Sequence, residues 1–469
     1  MNTMKSQLFA CAAVASMVLT PASAMAADVV QASAPAAAPA SNFPIMAAVS
    51  SFYDQYKPTI WFKGGAVSPA AAQLATILRR APIEGLSFGR QLADQVEAAV
   101  RQAASGAPAD VINAERVLSS ALVTYVQALK RPTPGMIYAY SVLSPQGSRA
   151  DQILLTASAA PSLEVYLSSA SNINPIYAGI RDAAFRQAQA AGNLTPDPRL
   201  LANLERARTL PARGKFALVD SASQRLFMYE NGQVVDSMKV VVGDKDKLGL
   251  PTPLIASVMH YMTFNPYWNV PHHLVKKTVA PGVVRDGPKY LKSRGYEVMS
   301  DWTEEATVLD PTTIDWKAVV AGQKQIRVRQ LPGPTNSMGK MKFPFPNREG
   351  IFLHDTPTRQ HFAKDNRAIS NGCIRVEDYR KLAYWLFGRD VAAVGSEPEQ
   401  HMPLPRGVPV YVTYLTMVPD ASGAIETFAD RYHWDRPGAL AGGMDAGYSV
   451  GSTGREVASG GGAGSGSSN

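Results

Sequence analysis

From residue 45 to 211 the alternation of apolar and polar positions is that of helices. After Asp110, the residues Ile112, Val117, Leu118, Ala121, Leu122, Tyr125 and Leu129 fall near a 3.6-residue period, the spacing of one packed helix face. Start and stop signals frame the segments. Ser68-Pro69 opens Ala70 to Arg80, and Asp110 opens the long amphipathic segment that ends at Arg131-Pro132. Asn174-Pro175 opens a helix closed near Gly192, and Asp197-Pro198 opens Arg199 to Thr209, which stops before Pro211. No cluster of titratable residues stands out in this half. It reads as a helical scaffold domain.

At Lys215 the period shortens. Phe216 to Asp220 is strand-like. Arg225 to Glu230, Asn231-Gly232 and Gln233 to Val242 make a hairpin, because Asn-Gly supplies the positive φ values of a type I′ turn. Further strands are expected at Gln325 to Gln330, Gly350 to His354 and Pro409 to Val418. The region 212–420 is therefore mainly β, and the chain as a whole is α+β. One stretch breaks the pattern. Residues 268–332 are long, polar and carry short helical pieces such as Gly287 to Lys292. A stretch of that length in a compact domain is usually functional, so it is expected to be an insertion capping a site, passive decoration being the alternative.

The ends differ from the middle. An apolar run from Leu8 to Leu19 follows Lys5 and precedes Ala22-Ser23-Ala24 and Ala24-Met25-Ala26, the layout of a secretory signal peptide over 1–26. An Ala/Pro-rich linker is expected at 27–44 and a C-terminal extension at 421–469, Gly/Ser-rich and expected to be disordered from about 442. No later run is long and apolar enough to span a bilayer. The formal charge is +8, or +7 once Lys5 leaves with the signal. That favours an anionic partner. No Arg/Lys cluster interleaved with aromatics points to nucleic acid. Gly243 to Lys247 lacks the spacing and context of a phosphate loop.

Two cysteines are present, and Cys11 lies in the signal. The remaining one, Cys373, has no partner for an intramolecular disulfide. It is either an inert core side chain or a reactive thiol. Its setting, Ser370-Asn371-Gly372-Cys373-Ile374-Arg375, favours the second. A free thiol has a pKa of about 8.5 and needs help at neutral pH. His354, at the end of the strand Ile351 to Leu353, is the candidate base. Gly372 lets a substrate approach the backbone, and the amides of Gly372 and Cys373 are candidate oxyanion donors. Arg375 either holds a substrate carboxylate, stabilises the thiolate, or pairs with Asp355, Asp365 or Glu377. Trp268, Phe343 and Phe345 line a groove or pack. Zinc held by His354, His361 and Cys373 is a rival reading, but no HExxH or CxxC pattern supports it.

The whole run Phe352-Leu353-His354-Asp355-Thr356-Pro357, then Arg367-Ala368-Ile369-Ser370-Asn371-Gly372-Cys373-Ile374-Arg375-Val376, resembles the catalytic motif of the L,D-transpeptidases (the YkuD-type domain), and most closely the large periplasmic YcbB-like subgroup. Val240-Val241-Val242-Gly243 with Thr252-Pro253, Asn265 to Pro271, Asp310-Pro311 with Asp315-Trp316, Gln330 to Pro334 and Phe343 to Asn347 carry it further. Arg80 to Leu86 and Asn203 to Arg208 resemble the family's scaffold domain more weakly. The resemblance implies a β-sandwich catalytic domain with Cys373 as nucleophile, His354 as base, and Ser370, Asn371 and Gly372 in the catalytic loop. Arg375, Phe352, Trp268 and Asn269 would meet substrate beneath the capping insertion at 268–332. It implies no cofactor, a periplasmic location, and peptidoglycan stem peptides of the meso-diaminopimelate type as partners, joined by 3→3 cross-links, with carbapenems acylating the thiol. Where the family usually has His, this chain has Asn371. Two alternatives stay open: hydrolysis of the same thioester by water, as a carboxypeptidase or cross-link hydrolase, and a non-catalytic wall-binding scaffold.

Overall fold

The computed structural model describes residues 43–436 and 439–440. The expected signal peptide, the linker as far as residue 42, and the Gly/Ser-rich tail lie outside them. The last two linker positions begin a helix, Phe43–Tyr56.

The helical half follows the start signals closely. Ala70–Arg80 is helical, with Ser68 Oγ accepting from Ala70 N–H. Asn174 caps Pro175–Ala190 by accepting from Tyr177 N–H at 2.8 Å, and Asp197 caps Pro198–Ala207 through Arg199 N–H. One start was misplaced. The long helix runs Pro108–Leu129, so proline at its first position opens it and Asp110 already lies in its first turn. Three further helices, Gly89–Ala103, Ala150–Ser158 and Leu163–Ser171, carry no side-chain-plus-proline start and escaped the punctuation reading.

Nine strands build the sheet-rich half: β1 Lys215–Asp220, β2 Arg225–Glu230, β3 Gln233–Gly243, β4 Ile255–Phe264, β5 Met341–Pro344, β6 Phe352–His354, β7 Ala368–Ser370, β8 Ile374–Val376 and β9 Gln400–Thr413. The order is β5-β6-β8-β3-β2-β1-β9-β4, with β7 beside β3. Because β5 also pairs β4, the sheet closes on itself, and the sandwich implied by the resemblance is one continuous sheet wrapped round a core. The β2–β3 hairpin turns at Asn231 (φ 51°) and Gly232 (φ 85°), as the Asn-Gly signal requires.

Alternation along β1 explains how the halves join. Ala217 and Val219 point into the closed sheet beside Val240, Leu353 and Ile374. Phe216 and Leu218 point outward into a second core shared with Leu74, Leu122 and Tyr177 of the helices. The helical half also lends Ile137–Tyr138 to the edge of β4.

The stretch 268–332 is not a polar loop. It has its own core, including Val275, Val283, Leu291, Trp316 and Val328, and its own four-stranded sheet. Its elements are so short that no apolar period could emerge from the sequence. The C-terminal extension also differs from expectation. Met417–Pro419 pairs Ile425–Thr427, so the expected boundary at 420 falls inside a hairpin. Tyr414, Tyr432 and Trp434 then bury against the helices.

Candidate active site

Cys373 sits at the end of a turn held by one hydroxyl. β7 stops at Ser370, the chain bends through Asn371 and Gly372, and β8 starts at Ile374. Ser370 Oγ accepts from Gly372 N–H at 3.2 Å and donates to the Cys373 carbonyl at 2.7 Å. Gly372 has φ 109°, a conformation that side chains rarely tolerate. The residue types before the cysteine are thus those the bend demands. The Gly372 N–H faces Ser370, which leaves the Cys373 N–H as the member of the expected oxyanion pair not engaged by that hydroxyl. Asn371 is half-buried, and its side chain makes no hydrogen bond among the described residues.

Strand register gathers the rest. β6 and β8 are parallel, with Leu353 opposite Ile374 and His354 opposite Arg375. Leu353 and Ile374 enter the core. Side chains alternate, so Phe352, His354, Cys373 and Arg375 share the other face. β5 places Lys342 opposite His354. The imidazole therefore lies in a row between two cations, with Cys373 and Phe352 one step back along the same face. Lys342 Nζ also stands 5.3 Å from the centre of the Phe352 ring.

The protonation states follow from this geometry. His354 is only 2 % exposed, and its Nδ1 is 2.5 Å from the Asp355 carbonyl. A carbonyl only accepts, so Nδ1 carries the proton and Nε2 keeps its lone pair. Burial, then the Arg375 and Lys342 charges, push the imidazole down to about 3 against the partial support of the Asp355 bond. Burial pushes the Cys373 thiol up, opposed by a backbone bond from Phe352 and by Arg375 and Lys342. At neutral pH both groups are uncharged. The residue is nonetheless half-buried rather than sealed, and Sγ donates weakly to Gly350 O at 3.7 Å.

Arg375 has none of the carboxylate partners weighed from sequence. Asp355 pairs Arg359 at 3.2 Å and accepts from Lys340 N–H, while Glu377 accepts from Lys239 N–H. Arg375 Nη1 instead donates to His361 Nδ1 at 3.0 Å. Burial lowers its pKa, and the Cys373 sulfur opposes that shift. His354 and His361 thus turn their Nδ1 atoms to Asp355 and Arg375, and no three His, Cys, Asp or Glu side chains among the described residues are grouped to hold a metal.

Trp268, Asn269, Phe343 and Phe345 make packing and hydrogen-bond contacts of their own. Trp268 pairs with Gln330 and packs on the insertion's core near Tyr296, and exposed Asn269 accepts a long 3.4 Å bond from Arg327. Phe343 and Phe345 are buried in the sheet core, so packing is what they do. Sequence reasoning missed Lys342, which nothing local marks. Only the β5–β6 register places it.

Residues 214–412 match the YkuD family, described as the L,D-transpeptidase catalytic domain, and residues 47–183 match the Scaffold domain family. A Haemophilus influenzae protein named "Putative L,D-transpeptidase" is 31% identical over 245 residues, covering 51% of this chain and 48% of its own length. The chain thus spans about half the length of the curated relative it matches. Two solved structures align loosely: the Ldtfm-avibactam carbamoyl enzyme (12% identity, 43% of this chain and 49% of that one) and an L,D-transpeptidase from Mycobacterium smegmatis (14%, 43% and 59%). Both give a TM-score of 0.21. The two family matches and the relative agree with the motif around Cys373: the chain carries a YkuD L,D-transpeptidase catalytic domain behind a Scaffold domain, the YcbB-like architecture.

Proposed function

We propose that this protein is an exported, periplasmic peptidoglycan L,D-transpeptidase in which Cys373 carries the acyl group. The observation that supports it best is the strand face shared by a thiol, a neutral imidazole with Nε2 unprotonated and a guanidinium that has no carboxylate partner among the described residues. The thiol rests protonated, so deprotonation is coupled to attack. Sγ turns from Gly350 toward His354, Nε2 takes its proton, and sulfur bonds the carbonyl carbon of the third stem residue, meso-diaminopimelate. The tetrahedral oxyanion forms against the Cys373 N–H. The bond to terminal D-Ala breaks, and its amine leaves with the proton from the imidazolium. The side-chain amine of a second stem then gives its proton to His354 and displaces the sulfur, closing a 3→3 cross-link. Arg375 receives a substrate carboxylate, which would supply the negative charge its surroundings lack. Ser370 and Gly372 shape the turn, and Phe352 offers an apolar wall.

Muropeptide profiling of sacculi tests this with purified wild-type and Cys373→Ala protein. The reading expects 3→3 dimers with wild type and none with the variant. Trimmed tripeptides without dimers would make water the acceptor. An unchanged profile with a folded wild type would leave a wall-binding scaffold.

A further inference from the structure

The Gly372–Cys373 peptide is gripped from a direction the catalytic motif does not include. Thr252, fully buried, donates from Oγ1 to the Gly372 carbonyl at 2.7 Å and accepts there from Gly243 N–H at 2.8 Å. Tyr432 Oη donates to the Gly243 carbonyl at 2.8 Å and accepts from Thr252 N–H at 3.3 Å. Two hydroxyls and the end of β3 thus close a buried ring of bonds beside the nucleophile. The ring is tight. A Cβ on Gly243 would meet Leu250 O at 2.2 Å and Thr252 N at 2.5 Å, so no other residue fits where this crossing occurs. Tyr432 is fixed in turn. It stacks on Tyr414 with centroids 4.7 Å apart, meets Trp434 edge-on at 4.9 Å, and accepts at its carbonyl from Lys245 Nζ.

Tyr432 lies beyond residue 412, where the catalytic-domain match ends. The segment that holds it is anchored to the helical half: Arg206 donates to the Trp434 carbonyl at 2.9 Å and pairs Asp435 at 2.7 Å. A continuous path of buried contacts therefore links the helices to the peptide bond of the nucleophile.

A trans peptide is planar, and its C=O and N–H point opposite ways. Whatever fixes the Gly372 carbonyl also fixes the direction of the Cys373 N–H. We infer that Thr252, held by Tyr432, is a positioning residue that aims the Cys373 N–H at the developing oxyanion, and that the C-terminal segment after 412 is thereby part of the catalytic apparatus. This rests on Cys373 acting through an acyl-enzyme as proposed above.

Two reagents separate aiming from mere support. Acylation of Cys373 by a carbapenem passes through an oxyanion. Alkylation by iodoacetamide displaces iodide from an sp³ carbon and forms none. Thr252→Val keeps the shape and removes the hydroxyl. It should slow acylation roughly 10- to 100-fold, a fraction of what a whole oxyanion donor is worth, while alkylation stays within about 2-fold across pH 6 to 9. Thr252→Ser should restore acylation, and Tyr432→Phe should show the same split more weakly. Wild-type acylation rates in Thr252→Val would overturn the inference. So would a parallel fall in both reactions, which would make Thr252 a general support of the loop. Should Thr252→Val fail to fold, Tyr432→Phe decides by the same split, and equal effects on both reactions overturn the inference. A wild-type protein that is alkylated but never acylated would instead remove the functional reading beneath it.

Discussion

The polar side chains of the helical half and those of the β5-β6-β8 face are paired differently. In the helical half, Glu84 accepts from the hydroxyls of Tyr125 and Tyr177 and lies near Arg80 and Arg181, at 3.7 and 3.9 Å. Glu115 likewise accepts from Tyr53 and from the N–H groups of Ile60, Trp61 and Phe62. Charge there is answered by charge or by hydrogen bonds. On the β5-β6-β8 face, Lys342, Arg375 and two histidines gather, and Arg375 has no carboxylate partner among the described residues. Among the described residues the one carboxylate in reach of Lys342 is Glu399 at 3.9 Å. Buried charge is expensive unless paired. A complete set costs the protein little and holds helices together. An incomplete one leaves room for a partner's charge, and under the proposed function that charge is a stem-peptide carboxylate.

The sharpest way to break this contrast is to disable the chemistry without touching the frame. His354→Gln should slow acylation of Cys373 about 100- to 10,000-fold, the span of a lost general base, with the melting temperature nearly unchanged at pH 7. Wild-type acylation in that variant would remove His354 from the mechanism. The mirror experiment removes the answered charge. Glu84→Leu strips the acceptor from the buried Tyr125 and Tyr177 hydroxyls, while Arg181 keeps Asp182 at 2.8 Å, and should cost about 2–5 kcal/mol of unfolding free energy, while the folded fraction acylates at the wild-type rate. Urea unfolding and a per-molecule rate would show both. Next comes Arg375→Gln. A charged hydrogen bond of about 1.5–3 kcal/mol corresponds to a KM for the donor peptide raised roughly 10- to 100-fold. Stability should hold or rise, since no native pair is broken. A loss of stability comparable to that of Glu84→Leu would mean Arg375 is structural and erase the distinction.

The smallest effect is acid sensitivity. The folded imidazole of His354 lies at about 3, against about 6.5 when unfolded. Its contribution is present in full above about pH 6.5 and is lost as pH falls toward 3, because the unfolded chain binds a proton the fold refuses. Between pH 7 and 5 that share amounts to about 2 kcal/mol, and His354→Gln should lack it. Equal pH slopes for the two proteins would show the ring to be more open to water than a 2 % exposure allows.

What sequence could reach follows the same line. The Asn-Gly hairpin, the proline-opened helices and the reactive setting of Cys373 are local, and local chemistry writes itself into neighbouring residues. His354 was singled out because a strand ending next to a His-Asp pair is also a short-range signal. Lys342 and Tyr432 were out of reach, and Thr252 stood only as a landmark of the resemblance with no role, because only strand register and a crossing loop bring them near residue 373. The insertion's core was hidden for another reason: its helices and strands are too short to show a period. Trp268 and Asn269 were drawn to the site by resemblance, and the structure seats them at the insertion's own sheet.

The most direct test of the whole account is to catch the acyl group. Wild-type protein mixed with a tetrapeptide stem, quenched in acid within seconds and weighed intact, should gain the mass of the acyl tripeptide, release D-Ala, and map the adduct to Cys373. A folded protein that releases D-Ala without ever carrying that mass, or that carries it equally well as Cys373→Ala, would contradict the account.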